Sequence, residues 1–321
     1  MDDEAFTRKD ILKIMAAVLV ALNTVFSLLP TRSPSASCYS PDAPDEIRLY
    51  FAAVADIHTD ALFFRDRTNI LRKAFAGISK STKKLDAVAL AGDNTNCGDE
   101  KEYRLLKRLG FWLRTDAVVP CIGNHDSWHH SDDPDWETAK SLYLDYCAHC
   151  GVKTETTYFV RQIKGHYFIS LGTEALVHND SFISKEQLEW FDSVLGEACE
   201  SGKPIFILCH QPIGGHNGTG KNEIDGSSVG AASAELEEIL KKHTDSYTAP
   251  VFWISGHMHT LGSKTYEKNG HVHYLNLPSL EYTYGGGLGY VFEVYENRIV
   301  LKCRNFITES ELERYSFSID Y

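Results

Sequence analysis

Beyond residue 45 the chain alternates short, unbroken apolar runs with longer stretches in which apolar residues recur at helical spacing. Residues 49–55, 87–91, 118–122, 167–171, 205–209 and 251–254 are strand-length and almost wholly apolar, the pattern of strands covered on both faces. Between them lie helix signals. Asp99 with Glu102 forms a capping box ahead of Leu105, Leu106, Leu109, Trp112 and Leu113, which share one helical face. Ser184 with Gln187 repeats the device ahead of Leu188, Phe191, Leu195 and Cys199, and a further helix is predicted over 135–149. After Gly270 the pattern predicts a β-meander over 271–277, 290–295 and 298–303, with Glu296-Asn297 as a tight turn. Alternation of this kind predicts a layered α/β body over residues 45–321.

The first 44 residues differ in kind. Arg8, Lys9 and Lys13 precede an apolar run from Ile14 to Leu22 that continues to Leu29 and ends at Pro30. Small residues follow (Ser33, Ser35, Ala36, Ser37), so the segment reads as a secretory signal with cleavage near Ala36, or as an uncleaved membrane anchor. Asp2, Asp3, Glu4 and Asp10 in the flank, with Asn23 and Thr24 in the run, leave a cytosolic helix as the competing reading. The expected location is extracytoplasmic, secreted or membrane-anchored. Residues 31–44, with three prolines and four serines, form a linker. Cys38 lies in it, but Ser35 stands where a lipidation motif requires a large aliphatic residue.

Composition changes the picture only slightly. A net charge of −12 argues against broad nucleic-acid binding, while 43% hydrophobic residues are enough for a substantial core. Eight cysteines include a single close pair, Cys147 and Cys150, with no second pair at zinc-finger spacing. They read as two separate thiols or, in an exported protein, a disulfide.

Chemistry concentrates where the apolar runs end. Asp56-Ile57-His58, Gly92-Asp93, Gly123-Asn124-His125-Asp126, His210 and Gly256-His257-Met258-His259 each follow a predicted strand, and side chains delivered from neighbouring strand ends converge on one rim. Gly92, Gly123 and Gly256 are expected to turn the backbone sharply before each ligand. Imidazole and carboxylate together suit manganese, iron or zinc.

The order Asp-x-His, Gly-Asp, Gly-Asn-His-Asp, His, Gly-His-x-His resembles the calcineurin-like metallophosphoesterase superfamily. The resemblance spans Asp56 to His259 and implies a four-layer α/β/β/α sandwich with mixed sheets and a dinuclear metal centre. It implies that Asp56, His58 and His259 hold one divalent ion, that Asn124, His210 and His257 hold the other, and that Asp93 bridges them. His125 would contact the substrate phosphate and protonate the leaving oxygen, with Asp126 orienting it. Asn96 stands where purple acid phosphatases carry a tyrosine ligand, so a ferric tyrosinate centre is not expected.

The expected activity is hydrolysis of a small phosphoester, monoester or diester, by a metal-bridging hydroxide. The alternative is a noncatalytic metal-binding module that recognises a phosphorylated partner. Loops over 127–136, 212–230 and 279–289 are expected to surround the rim. Among their residues, His129 or His130 is a candidate for meeting substrate, His216 and Asn217 for a phosphate or leaving group, and Tyr282 and Tyr284 for stacking on a nucleotide-like substrate.

Overall fold

The computed structural model describes residues 46–61, 65–80, 83–127, 135–220, 226–281 and 285–321. The leader, the linker with Cys38, His129, His130, Tyr282 and Tyr284 lie outside the described residues. Among those described, no helix is long and apolar enough to cross a membrane.

Two mixed sheets form the centre. The first holds β1 (Leu49–Val54), β2 (Ala87–Ala91) and β3 (Val118–Cys121) in parallel, and continues from β1 through β10 (Leu288–Val294) and β11 (Arg298–Asn305), both antiparallel. The short β12 (Ser310–Glu311) and β13 (Phe317–Asp320) pair with β11. The second sheet runs in the order β4 (Phe159–Ile163), β5 (His166–Ser170), β6 (Ile205–Leu208), β7 (Val251–Ser255), β9 (Val272–Asn276), β8 (Tyr266–Asn269), parallel from β5 to β9 with antiparallel edges.

Side-chain alternation explains how the layers stack. Successive strand residues face opposite ways, and along β5, β6 and β7 the residues Phe168, Phe206, Leu208, Phe252 and Ile254 join the core shared with the first sheet. Their neighbours Tyr167, Ile169, Ile205, Ile207, Val251 and Trp253 pack instead with α5 (Lys185–Cys199) and α6 (Ser233–Thr244). Between the sheets Phe51 stacks on Phe292 at 4.4 Å and meets Phe168 and Phe206 edge-on at 5.1 and 4.7 Å. Helices α1 (Arg65–Ile78), α2 (Glu100–Gly110) and α4 (Trp136–His149) add Leu71, Phe75, Leu106 and Tyr143 to the core of the first sheet. The expected four-layer sandwich is the fold observed, and unbroken apolar strands follow from covering both faces of each sheet.

The capping box at Asp99 and Glu102 forms as expected, whereas at Ser184 only the hydroxyl caps the helix, because the Gln187 side chain turns to Gly172 and Glu174 and Ser184 N–H donates to Glu174 instead. The meander does not form as expected. β9 pairs with β7 and β8 in the second sheet, whereas β10 and β11 belong to the first. After β9 the backbone meets both sheets in turn, with Leu277 N–H donating to Ser255 O and Leu280 N–H donating to Ala55 O. Both strand groups are buried and apolar, and that pattern alone cannot say which sheet a strand joins.

Candidate metal centre

Every candidate ligand lies just beyond the C-terminal end of a strand, and both sheets contribute. From the first sheet come Asp56 and His58 after β1, Asp93 after β2, and Asn124 after β3, at the start of the single-turn helix α3 (Asn124–Ser127). From the second come His210 after β6 and His257 and His259 after β7. Rim hydrogen bonds tie these ends together. His257 N–H donates to both Asp56 carboxylate oxygens at 3.0 and 3.1 Å, and His125 N–H donates to Asp93 Oδ1 at 2.9 Å.

Two groups of ligand atoms result. Asp56, His58, Asp93 and His259 place one atom each within 4.8 Å of one another, as do Asp93, His210 and His257, and Asp93 belongs to both. His259 Nε2 is 2.9 Å from Asp56 Oδ1, His58 Nε2 is 3.2 Å from His259 Nε2, and His210 Nε2 is 3.0 Å from Asp93 Oδ2. A cation bound at about 2.1 Å requires ligand atoms about 3.0–3.5 Å apart, so the spacing fits metal coordination. His210 supplies a sharper test. Its Nδ1 donates to Ala91 O at 2.9 Å, so Nε2 is the nitrogen that carries the lone pair once the ring is neutral. Nε2 is buried 3.0 Å from Asp93 Oδ2, where a cation would take the place of the imidazole proton. His257 donates from Nε2 to Gly226 O at 2.7 Å and so presents Nδ1. The Asn124 amide N–H₂ donates to His178 O at 2.9 Å, and its Oδ1 lies 3.4 Å from Gln211 Nε2.

Backbone conformation marks the same residues. Asp56, His58, Asp93, His257 and His259 all adopt left-handed φ, from 44° to 71°. Each such non-glycine residue costs about 1–3 kcal/mol and persists only where the surroundings enforce it. The glycines act differently from expectation. Of the three, only Gly92 turns through positive φ, at 88°. Gly123 and Gly256 instead allow close approach. A Cβ on Gly256 would lie 2.6 Å from both Ala55 Cβ and Asp56 Oδ2, and one on Gly123 would collide with the carboxylate and amide of Asp93.

Electrostatics are those of buried carboxylates compensated by imidazoles. Burial pushes the Asp93 carboxyl up, but His210, His58 and His125 together hold it well below the usual range. Burial likewise raises Asp56, and His259 and His210 overcome it. His210, though burial opposes its charge, is pushed up to about 9 by Asp93 and Asp56. His58 is lowered to about 4, mainly by burial. Two buried carboxylates with this much demand for positive charge suit divalent cations, which would replace the protons.

His125 and Asp126 do not form the expected pair. The His125 ring is oriented by the Asn96 carbonyl, which accepts from Nδ1 at 2.6 Å, so Nε2 is the atom that can exchange a proton. Asp126 is fully buried and accepts from Gly123 N–H at 2.9 Å, Asn94 N–H and side chain at 3.1 and 2.9 Å, and Thr95 N–H and hydroxyl at 2.9 and 2.8 Å. It fastens the loop after Asp93 to the loop before Asn124. Sequence reasoning fixed on its neighbour and missed this, although the polar run Asn94-Thr95-Asn96 offered the partners. It also missed Arg67 and Glu281. Arg67 pairs with buried Glu281, whose N–H lies 3.4 Å from Asp56 O, and burial pushes the Glu281 carboxyl up to about 7.

Two expected substrate contacts are engaged elsewhere. His216 stacks on Tyr274 at 3.8 Å, with Nε2 2.9 Å from Glu237 and Nδ1 bonded to Glu267. Asn217 is buried and donates to Lys264 O at 2.9 Å. Both fasten the 212–220 segment to the β8–β9 edge.

The sequence model of the calcineurin-like phosphoesterase family matches residues 49–261. No curated protein matches the chain. Among solved structures, a dimetal phosphatase from Danio rerio is similar with a TM-score of 0.61 and 15% identity, covering 86% of this chain and 100% of that one. A purple acid phosphatase from yellow lupin (Lupinus luteus) seeds is similar with a TM-score of 0.56 and 13% identity, covering 85% of this chain and 53% of that one. At these identities the likeness is one of fold.

Proposed function

Because the chain belongs to the calcineurin-like phosphoesterase family, we propose that it hydrolyses a small phosphoester, monoester or diester, on two divalent cations that share Asp93. The observation that carries this reading is the pair of ligand groups with one carboxylate in common. Asp56, His58 and His259 would hold one cation, and Asn124, His210 and His257 the other. Bound there, manganese, iron or zinc supplies Lewis acidity and lowers the pKa of water towards neutrality.

The chain's own groups do the rest. Asp93, aligned by the His125 amide, keeps its carboxylate facing both groups of imidazoles. His125, its Nδ1–H committed to Asn96 O, offers Nε2 to carry a proton to the leaving oxygen. Gly226 O and Ala91 O set the tautomers of His257 and His210. Asp126 holds the Asp93 and Asn124 loops in register.

The test is turnover. Protein stripped of metal and reloaded with manganese, iron or zinc should release product from a chromogenic monoester or diester, and Asp93→Asn should release none. Silence on both esters with all three metals would reject the proposal. The basic flank and apolar run of residues 8–29 support placing the enzyme outside the cytoplasm. Recovery of the native protein in the cytoplasmic fraction would reject that placement.

A further inference from the structure

We propose that the exposed aromatic pair Phe111 and Trp112, with the arginines around it, docks this enzyme onto an anionic lipid surface. Both residues directly follow α2, whose buried Tyr103, Leu106 and Leu109 already satisfy the core. Phe111 is 85% exposed and Trp112 42% exposed. The two rings lie edge to face with centroids 6.3 Å apart, forming one apolar projection rather than two scattered side chains.

Charge around the pair runs against the rest of the molecule. Arg72 lies over the Trp112 ring at 5.8 Å, and Arg108 and Arg114 are exposed on either side in sequence. Ser79 Oγ donates to Trp112 O and accepts from Arg114 N–H, both at 2.7 Å, so the end of α1 with Lys80 is fastened beside them. The nearby acids Asp116 and Glu309 are engaged by Lys84 and Lys80. A basic aromatic projection on a chain of net charge −12 is complementary to an anionic bilayer. Indole and phenyl rings settle at the headgroup boundary while arginines reach the phosphates. A protruding pair of this kind suits a bilayer interface, which yields to it.

The placement is also compatible with catalysis. Phe111 and Trp112 precede β3, and Thr115 bridges Leu85 ahead of β2, so the pair lies towards the N-terminal ends of the parallel strands. The candidate ligands follow the C-terminal ends of the same strands. Docking would leave the metal centre facing solution.

The experiment uses the full chain with vesicles of phosphatidylcholine alone or mixed with phosphatidylglycerol, both with brominated acyl chains that quench nearby indoles. Trp112 then reports on this surface separately from residues 1–45. The anionic vesicles should quench wild-type fluorescence more than that of Trp112→Phe, and the difference should vanish on neutral vesicles. Replacing Arg108 and Arg114 by glutamine should weaken that quenching with a shift in lipid midpoint of about 25-fold, at about five-fold per charge. Equal quenching of wild type and Trp112→Phe, the signature of a surface for a protein partner or for none, would overturn the proposal. A difference that persists on neutral lipid, or an unchanged midpoint in the arginine variants, would do so as well.

Discussion

Replacing Gly123 by alanine perturbs the shared ligand without removing any ligand atom. The backbone of Gly123 lies outside the left-handed region, so alanine is conformationally acceptable there. Its Cβ, however, would lie 2.9 Å from Asp93 Cγ and closer still to the carboxylate oxygen and amide. Ordinary carbon contacts begin at about 3.5 Å, so the Asp93 carboxylate must retreat by roughly 0.6 Å or more. Asp93 cannot relax freely, because His125 N–H and His210 hold it and its own backbone is at φ 48°. Overpacking of this kind costs about 1–3 kcal/mol of stability, and a misplacement of about 1 Å costs about 100-fold in turnover. Steady-state kinetics on the metal-reloaded enzyme should therefore show kcat/KM down by about 100-fold, with metal content per chain reduced. Gly262→Ala is the control, since a Cβ there meets nothing within 4 Å and the residue lies three positions after His259. Wild-type turnover and metal content in Gly123→Ala would refute the argument that Asp93 is held by close packing against Gly123.

Other outcomes follow from the same structure. Asp126→Asn turns an amide N–H₂ towards donors from Gly123, Asn94 or Thr95; it should cost about 3 kcal/mol and lower Tm by about 6 °C at roughly 2 °C per kcal/mol, and an unchanged melting curve would show that these bonds do not brace the loops. His216 is raised above the ordinary imidazole value because, although burial opposes its charge, Glu237 and Glu267 face its two nitrogens. A group with a raised folded pKa stabilises fully below the unfolded value of about 6.5, and that contribution is lost as pH rises through the folded value. His216→Gln should therefore cost about 2 kcal/mol at acid pH and less at alkaline pH, and a pH-independent difference in denaturant midpoints would remove the ion-pair argument.

Much of the fold was legible because buried strands and capped helices leave local signatures. The runs that became β1, β2, β3, β5, β6 and β7 needed no more than their apolar continuity, and Asp99, Asp135 and Ser184 occupy the caps their side chains suggest. Edge strands such as β4 and β8 carry exposed residues and gave no such continuity. The separation of β9 from β10 escaped notice because it depends on which partner strand each finds, which is not a local property. At the site, the motifs named the residues at the strand ends. Their left-handed backbones, the Asp126 brace, and the diversion of His216 to Glu237 and Glu267 depend on residues distant in sequence. The family resemblance implied Asp126 as the residue orienting His125, whereas the ring is turned to the backbone of Asn96.

The central claim is that two cations share Asp93 across the junction of the sheets, and elemental analysis of metal per chain tests it most directly. We expect about two per chain in the wild type, about one in His259→Ala, which should empty the group of Asp56 and His58, and about one in His257→Ala, which should empty the group of Asn124 and His210. Asp93→Asn should retain neither. Full occupancy in both histidine variants, or undiminished metal in Asp93→Asn, would contradict the account.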